Sequence, residues 1–101
     1  NNIFRNTRPQ SYFAGYGPAI HIENSRTWTY ENIKIYNNVF DYYFVHAIRV
    51  LGRSINNVDI RNNVFLNTRL DGQADVQVNG ADITNVVFKN NIKYNSGANN
   101  N

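Results

Sequence analysis

Three near-copies of one phrase constrain this chain more than anything else in it. "IYNNVF" at Ile35–Phe40 returns as "IRNNVF" at Ile60–Phe65 and again as "FKNNIK" at Phe88–Lys93. Aligned on these asparagine pairs, the chain divides into blocks that begin at Ala19, Ala47 and Asp75, each 28 residues after the last. Repeats of this length belong to arrays whose units bury their apolar faces on one another.

Each block opens with a short alternating stretch: Ile20 and Ile22, Ile48 and Val50, Val76 and Val78. The sixth position is Asn24, Gly52 or Gly80, residue types that tolerate positive φ, so a turn is expected there. A second alternating stretch holds Ile33 and Ile35, Val58 and Ile60, Val86 and Phe88. The asparagine pair then leads to a third apolar pair, Val39/Phe40 and Val64/Phe65, with Ile92/Lys93 in the last block. Alternation of period two in β-branched residues is strand behaviour, and no helical stripe runs for a useful length. Three short strands per block without a helix predict an all-β chain, a parallel β-helix of about three coils.

Coils stacked about 4.8 Å apart bring equivalent residues into ladders. Asn37, Asn62 and Asn90 are expected in one column, with Asn38, Asn63 and Asn91 beside it. An asparagine amide both donates and accepts, so it passes hydrogen bonds from coil to coil. Its neighbour takes the left-handed conformation of a sharp corner. The rival reading, in which these pairs mark hairpin loops of an antiparallel protein, leaves the Asn24/Gly52/Gly80 column without a reason. Lys93 stands where Phe40 and Phe65 stand, so the last coil is expected to fray or to turn Ile92 and Tyr94 inward.

Charged residues make up 17% of the chain, against about a quarter in ordinary domains. Asparagine, 20 residues of 101, takes their place. The net charge is +3 and the ten Lys and Arg residues are scattered, without the clustering of a nucleic-acid footprint. There is no cysteine and no apolar run long enough to span a bilayer, so no thiolate chemistry and no membrane partner are expected. No signal peptide or initiating Met is present, and the chain is expected to be mature or excised.

The phrases NIKIYNNVF and NVDIRNNVF resemble the repeats of right-handed parallel β-helix proteins of the pectate-lyase-like superfamily. The resemblance runs from Asn1 to about Tyr94. It implies β-helix coils over residues 1–95 and a disordered polar tail over 96–101. Solenoid ends need covering, so further coils or a capping domain of the same parent protein are expected. The resemblance also implies a secreted, cell-surface or periplasmic protein that binds, and as an enzyme processes, polysaccharide or oligosaccharide. A non-catalytic carbohydrate-binding module and a structural segment of an adhesin or phage fibre are the alternatives.

In that superfamily the first sheet and the loops before it shape the substrate groove. Carried over by position, the outward residues are His21, Glu23, Arg49, Leu51, Asp75, Gln77 and Asn79, with His21, Arg49 and Gln77 as one adjacent column. The preceding loops hold Tyr12, Phe13, Tyr16, Tyr42, Tyr43, Arg69 and Asp71, among which Phe13, like Phe44, reads as core. The first block also carries three extra residues in SRTWTYE, with Trp28 and Tyr30. Aromatic rings pack on sugar faces and guanidinium forks hold uronate carboxylates. Trp28, Tyr43, His21, Glu23, Arg49, Asp75 and Gln77 are therefore the expected substrate-binding residues.

For lyase chemistry, Arg49 would neutralise a uronate carboxylate and His21 would take the neighbouring proton. The competing structural role is an Arg49 pair with Glu23 or Asp75 on a solvated sheet. For hydrolase chemistry, Glu23 and Asp75 would lie about 16 Å apart, too wide for a carboxylate pair, whereas Asp71 and Asp75 share a corner. Asp71, Asp75 and Asn79 give only thin support for calcium, and no cofactor is expected. Lys34 over Asp59 reads as an exposed ion pair, and His46 as a structural histidine.

Overall fold

The structure is a computed structural model that describes residues 1–5, 18–42, 46–67 and 75–96. Tyr12, Phe13, Tyr16, Tyr43, Phe44, Arg69, Asp71 and the tail beyond Ser96 lie outside the described residues. The described chain is all-β. Its strands are β1 (Ile3–Arg5), β2 (Ile20–Asn24), β3 (Tyr30–Tyr36), β4 (Val39–Asp41), β5 (Ile48–Arg61), β6 (Val64–Leu66), β7 (Val76–Lys89) and β8 (Ile92–Tyr94).

They form two sheets, and every pairing in them is parallel. One sheet runs β1-β4-β6-β8. In the other, β2 and β3 pair with the first and second parts of β5, and β7 lies along the opposite edge of β5. Ile20 pairs with Ile48 and Ile48 with Val76, so the first strands of the three blocks sit in register. The blocks stack as the repeat requires.

Apolar columns fill the space between the sheets. Phe4, Phe40 and Phe65 stack with ring centroids 5.1 and 5.2 Å apart and planes 8° from parallel. Phe40, Phe65, Ile48, Val50, Ile55, Val58 and Ile60 are all fully buried. Each contributes roughly 1.5–3 kcal/mol by leaving water. The middle coil is buried best because it has a neighbour on both sides.

Both columns of the asparagine pair are present, with divided labour. Asn37, Asn62 and Asn90 have φ of 58°, 54° and 56° and make the corner between strands. The second members carry the hydrogen bonds. The Nδ2 of Asn38 donates to Asn63 Oδ1 at 3.2 Å, and that of Asn63 to Asn91 Oδ1, also at 3.2 Å. The backbone N–H groups of Asn38 and Asn63 donate to the same oxygens at 3.0 Å. Asn2 extends this ladder by donating to Asn38 Oδ1. Asn63 also donates to the Ile35 carbonyl at 2.9 Å, so its whole buried amide is used. A second, exposed ladder joins Asn32, Asn57 and Asn85, whose φ values are 58°, 57° and 53°.

Three expectations need correction. The turn at the sixth position does not divide the later blocks: β5 and β7 each run 14 residues through Gly52 and Gly80. Three short strands occur only in the first block. Gly52 pairs with Gly80 and Arg53 with Ala81, so β5 and β7 stay joined through the corner. A Cβ on Gly52 would come 2.1 Å from the Asn24 carbonyl oxygen, and one on Gly80 1.7 Å from that of Gly52. Glycine is a steric requirement here.

The last coil neither frays nor rotates. Ile92 and Tyr94 pair with Val64 and Leu66 and point outward, 62% and 69% exposed. Lys93 pairs with Phe65 and keeps the inward position. Third, Asp75 is not an outward residue. It is fully buried, with Lys93 Nζ at 3.2 Å and the Ser96 hydroxyl donating to it at 3.1 Å.

Candidate functional site

The outward face of β2, β5 and β7 carries the expected column. His21 pairs with Arg49 and Arg49 with Gln77, and Arg49 Nε donates to Gln77 Oε1 at 2.7 Å. Glu23 opens a second column, in register with Leu51 and then Asn79. His21 Nε2 lies 3.6 Å from Glu23 Oε2, and both side chains are substantially exposed. Arg49 thus pairs with neither Glu23 nor Asp75. Its Nε is held by Gln77, which restrains the guanidinium. His46 is buried, in keeping with a structural role.

Of the expected binding residues, the structure brings together His21, Glu23, Arg49 and Gln77. Asp75 belongs to the interior, and Tyr43 lies outside the described residues. Trp28 stands apart, on the loop between β2 and β3, and is 67% exposed. Asn24 shapes that loop: it is fully buried, its Nδ2 donates to the Trp28 carbonyl at 2.7 Å, and its Oδ1 accepts from the Arg26 N–H at 3.0 Å. An indole left in water on a loop anchored at both ends has given up the burial an aromatic ordinarily gains.

At the bend in the sheet, next to this loop, an open groove of about 370 Å³ is lined by Glu23, Ser25, Gly52, Arg53 and Asp82 among others. It draws on all three coils. Sequence reasoning missed it, although the glycine column and the extra residues that shape it were both visible.

The second outward face, on β3, β5 and β7, holds a charged cluster the sequence reading also missed. Lys34 pairs with Asp59 in register, but the close partners of Asp59 are Arg61 and Tyr36. Arg61 Nε donates to one carboxylate oxygen and the Tyr36 hydroxyl to the other. The Arg61 bond is the main reason the Asp59 carboxyl is held below its ordinary value, with smaller help from Tyr36 and Lys34. The same contacts push Tyr36 and Arg61 upward, chiefly through the hydrogen bond each makes to Asp59. Arg61 also lies over the Tyr36 ring, 5.9 Å from its centroid. The cluster is self-satisfied, so it braces two coils and offers no spare base or acid. Among the described residues, no three His, Asp or Glu side chains converge as a metal site would require.

No protein-family model, curated protein or solved structure matches the chain.

Proposed function

We propose that these coils belong to a right-handed parallel β-helix in a secreted or surface carbohydrate-active protein. In this reading the outward face of β2, β5 and β7 binds an extracellular polysaccharide, and further coils of the parent protein continue the stack. The observation that carries it is the column His21–Arg49–Gln77, three polar side chains in register across three coils. A guanidinium fixed through Nε suits a uronate carboxylate on a chain laid along the coil axis. Exposed Trp28 adds an apolar platform for a sugar ring.

Processing would use the same face. Arg49 would hold the uronate carboxylate and His21 would accept the proton beside it, the arrangement of a lyase. For the hydrolase form, Asp75 of the Asp71–Asp75 corner is buried and engaged by Lys93, which counts against it as a catalytic carboxylate, while Asp71 lies outside the described residues.

The test is retention on a panel of immobilised glycans, with unsaturated uronides and reducing ends followed in solution. Polygalacturonate should be retained, and Arg49→Ala should weaken retention by tenfold or more. Retention without product would leave a binding module. A chain that ignores every glycan would be a structural segment, and the proposal would fall.

A further inference from the structure

We infer that the groove at the glycine corner is a second sugar subsite, one that takes an uncharged sugar unit. The inference rests on the carbohydrate reading and adds a site and a ligand class to it.

The groove exists because three features coincide. Gly52 lines it without a side chain, and its backbone packs directly on that of Asn24, where a Cβ would strike the carbonyl oxygen. The three extra residues of the first block raise a wall on one side, where Ser25 lines the groove and Asn24 pins the loop through Arg26 and Trp28. Arg53 and Asp82, from the second and third coils, stand among its other lining residues. Only the first block supplies the wall, so the groove does not recur along the stack. Its volume, about 370 Å³, lies at the lower end of the range for ligand sites, about 300–1,000 Å³.

The charges select the ligand. Two carboxylates, Glu23 and Asp82, and one guanidinium, Arg53, are among the lining groups. Among the described residues, neither Arg53 nor Asp82 is in an ion pair. A uronate here would meet a net negative lining. Hydroxyl groups fit better, because each donates to a carboxylate and accepts from a guanidinium or the Ser25 hydroxyl. The outward column and the groove share Glu23, which places the two subsites side by side.

The test compares the chain with Ala81→Phe and Asp82→Asn. Ala81 is exposed and lines the groove, so a phenyl ring there fills it without entering the core. Asp82 has φ of 60°, which asparagine also adopts, so its substitution removes charge and keeps the bend. Binding is measured by calorimetry with cello-, manno- and xylo-oligosaccharides as uncharged probes and polygalacturonate as the acidic one. Circular dichroism checks that each variant is folded. We expect at least one uncharged probe to bind, both variants to weaken it tenfold or more, and polygalacturonate binding to persist in Ala81→Phe. Uncharged binding that Ala81→Phe leaves intact overturns the groove assignment. So does a chain that binds polygalacturonate but no uncharged probe, and the broader reading then stands. A chain that binds neither class overturns both.

Discussion

Lys93 Nζ lies 3.2 Å from the Asp75 carboxylate, at the core position where the two preceding coils stack Phe65 on Phe40. Asp75 is fully buried and the Lys93 side chain is 25% exposed. The repeat asks for an aromatic ring at position 93, yet an aromatic would leave a carboxylate in the interior without its cation. Lys93→Leu is therefore expected to destabilise the chain despite restoring apolar character. Removing one partner of a buried pair costs about 3–5 kcal/mol, and partial exposure of Lys93 places this case near 3. Urea unfolding of Lys93→Leu, Asp75→Asn and the double variant measures it, with the double costing less than the two singles combined. A Lys93→Leu variant as stable as the parent would show that the pair contributes nothing.

The two asparagines of each pair should respond oppositely to glycine. Asn62 supplies a φ of 54° at an exposed corner, so Asn62→Gly should be nearly neutral and Asn62→Ala should cost about 1–2 kcal/mol. Asn63 supplies four side-chain hydrogen bonds from a buried site. Glycine and alanine at 63 should each cost about 3 kcal/mol or more, because the Asn38 amide and the Ile35 carbonyl lose their partner. Thermal unfolding of the four variants separates corner from ladder. Equal losses for both glycine variants would erase the distinction.

How far the sequence discloses this structure depends on which physical signal each residue leaves. Ile20, Ile48 and Val76 could be stacked on paper because alternation of β-branched residues marks an inward face. The asparagine columns were legible because few residues serve both a left-handed corner and an amide ladder. Asp75 was misread by extending that alternation one residue too far. It lies in a bend before β7, where Asp75 and Val76 are both buried, just as Ala47 and Ile48 are before β5. The Tyr36–Asp59–Arg61 cluster was half legible: Asp59 and Arg61 lie two residues apart on one strand, but Tyr36 joins them only through its pairing with Arg61 across coils. Gly52 and Gly80 did signal a bend, but only the pairing shows that strands continue through it.

The Asp59 cluster gives stability a defined pH dependence. Arg61 and Tyr36 hold the folded carboxyl below its ordinary 3.8, so the cluster's contribution is complete above that value. It is lost as the pH falls through the folded value. Tyr36 has the opposite sign: its hydrogen bond to Asp59 raises it above 10.0, so its contribution is present below that pH and lost as the pH rises through the folded value. Asp59→Asn should lower the urea midpoint near neutrality, and the gap from the parent should close as the pH drops below 3.8. In a spectroscopic alkaline titration, Tyr36→Phe should remove one of the latest tyrosine ionisations. A gap that widens in acid would contradict the sign.

Gly52 and Ser54 lie two residues apart on one bent strand, and both have positive φ, 110° and 53°. Their tolerance should nevertheless differ sharply. Alanine at 52 meets a strained φ and a backbone oxygen 2.1 Å from its Cβ, and the obstacle is the paired strand itself, which cannot rotate aside. Relief would require β2 and β5 to part where Asn24 pairs with Gly52. Gly52→Ala should thus lose more than about 4 kcal/mol, or fail to fold. At Ser54, glycine relieves the left-handed strain and loses some unfolded-state restriction, two effects of similar size that should leave stability within about 0.5 kcal/mol of the parent. Chemical denaturation of both variants provides the comparison. A folded Gly52→Ala with near-parent stability would mean that the coils are not packed backbone to backbone at this corner, and the groove built on it would lose its floor.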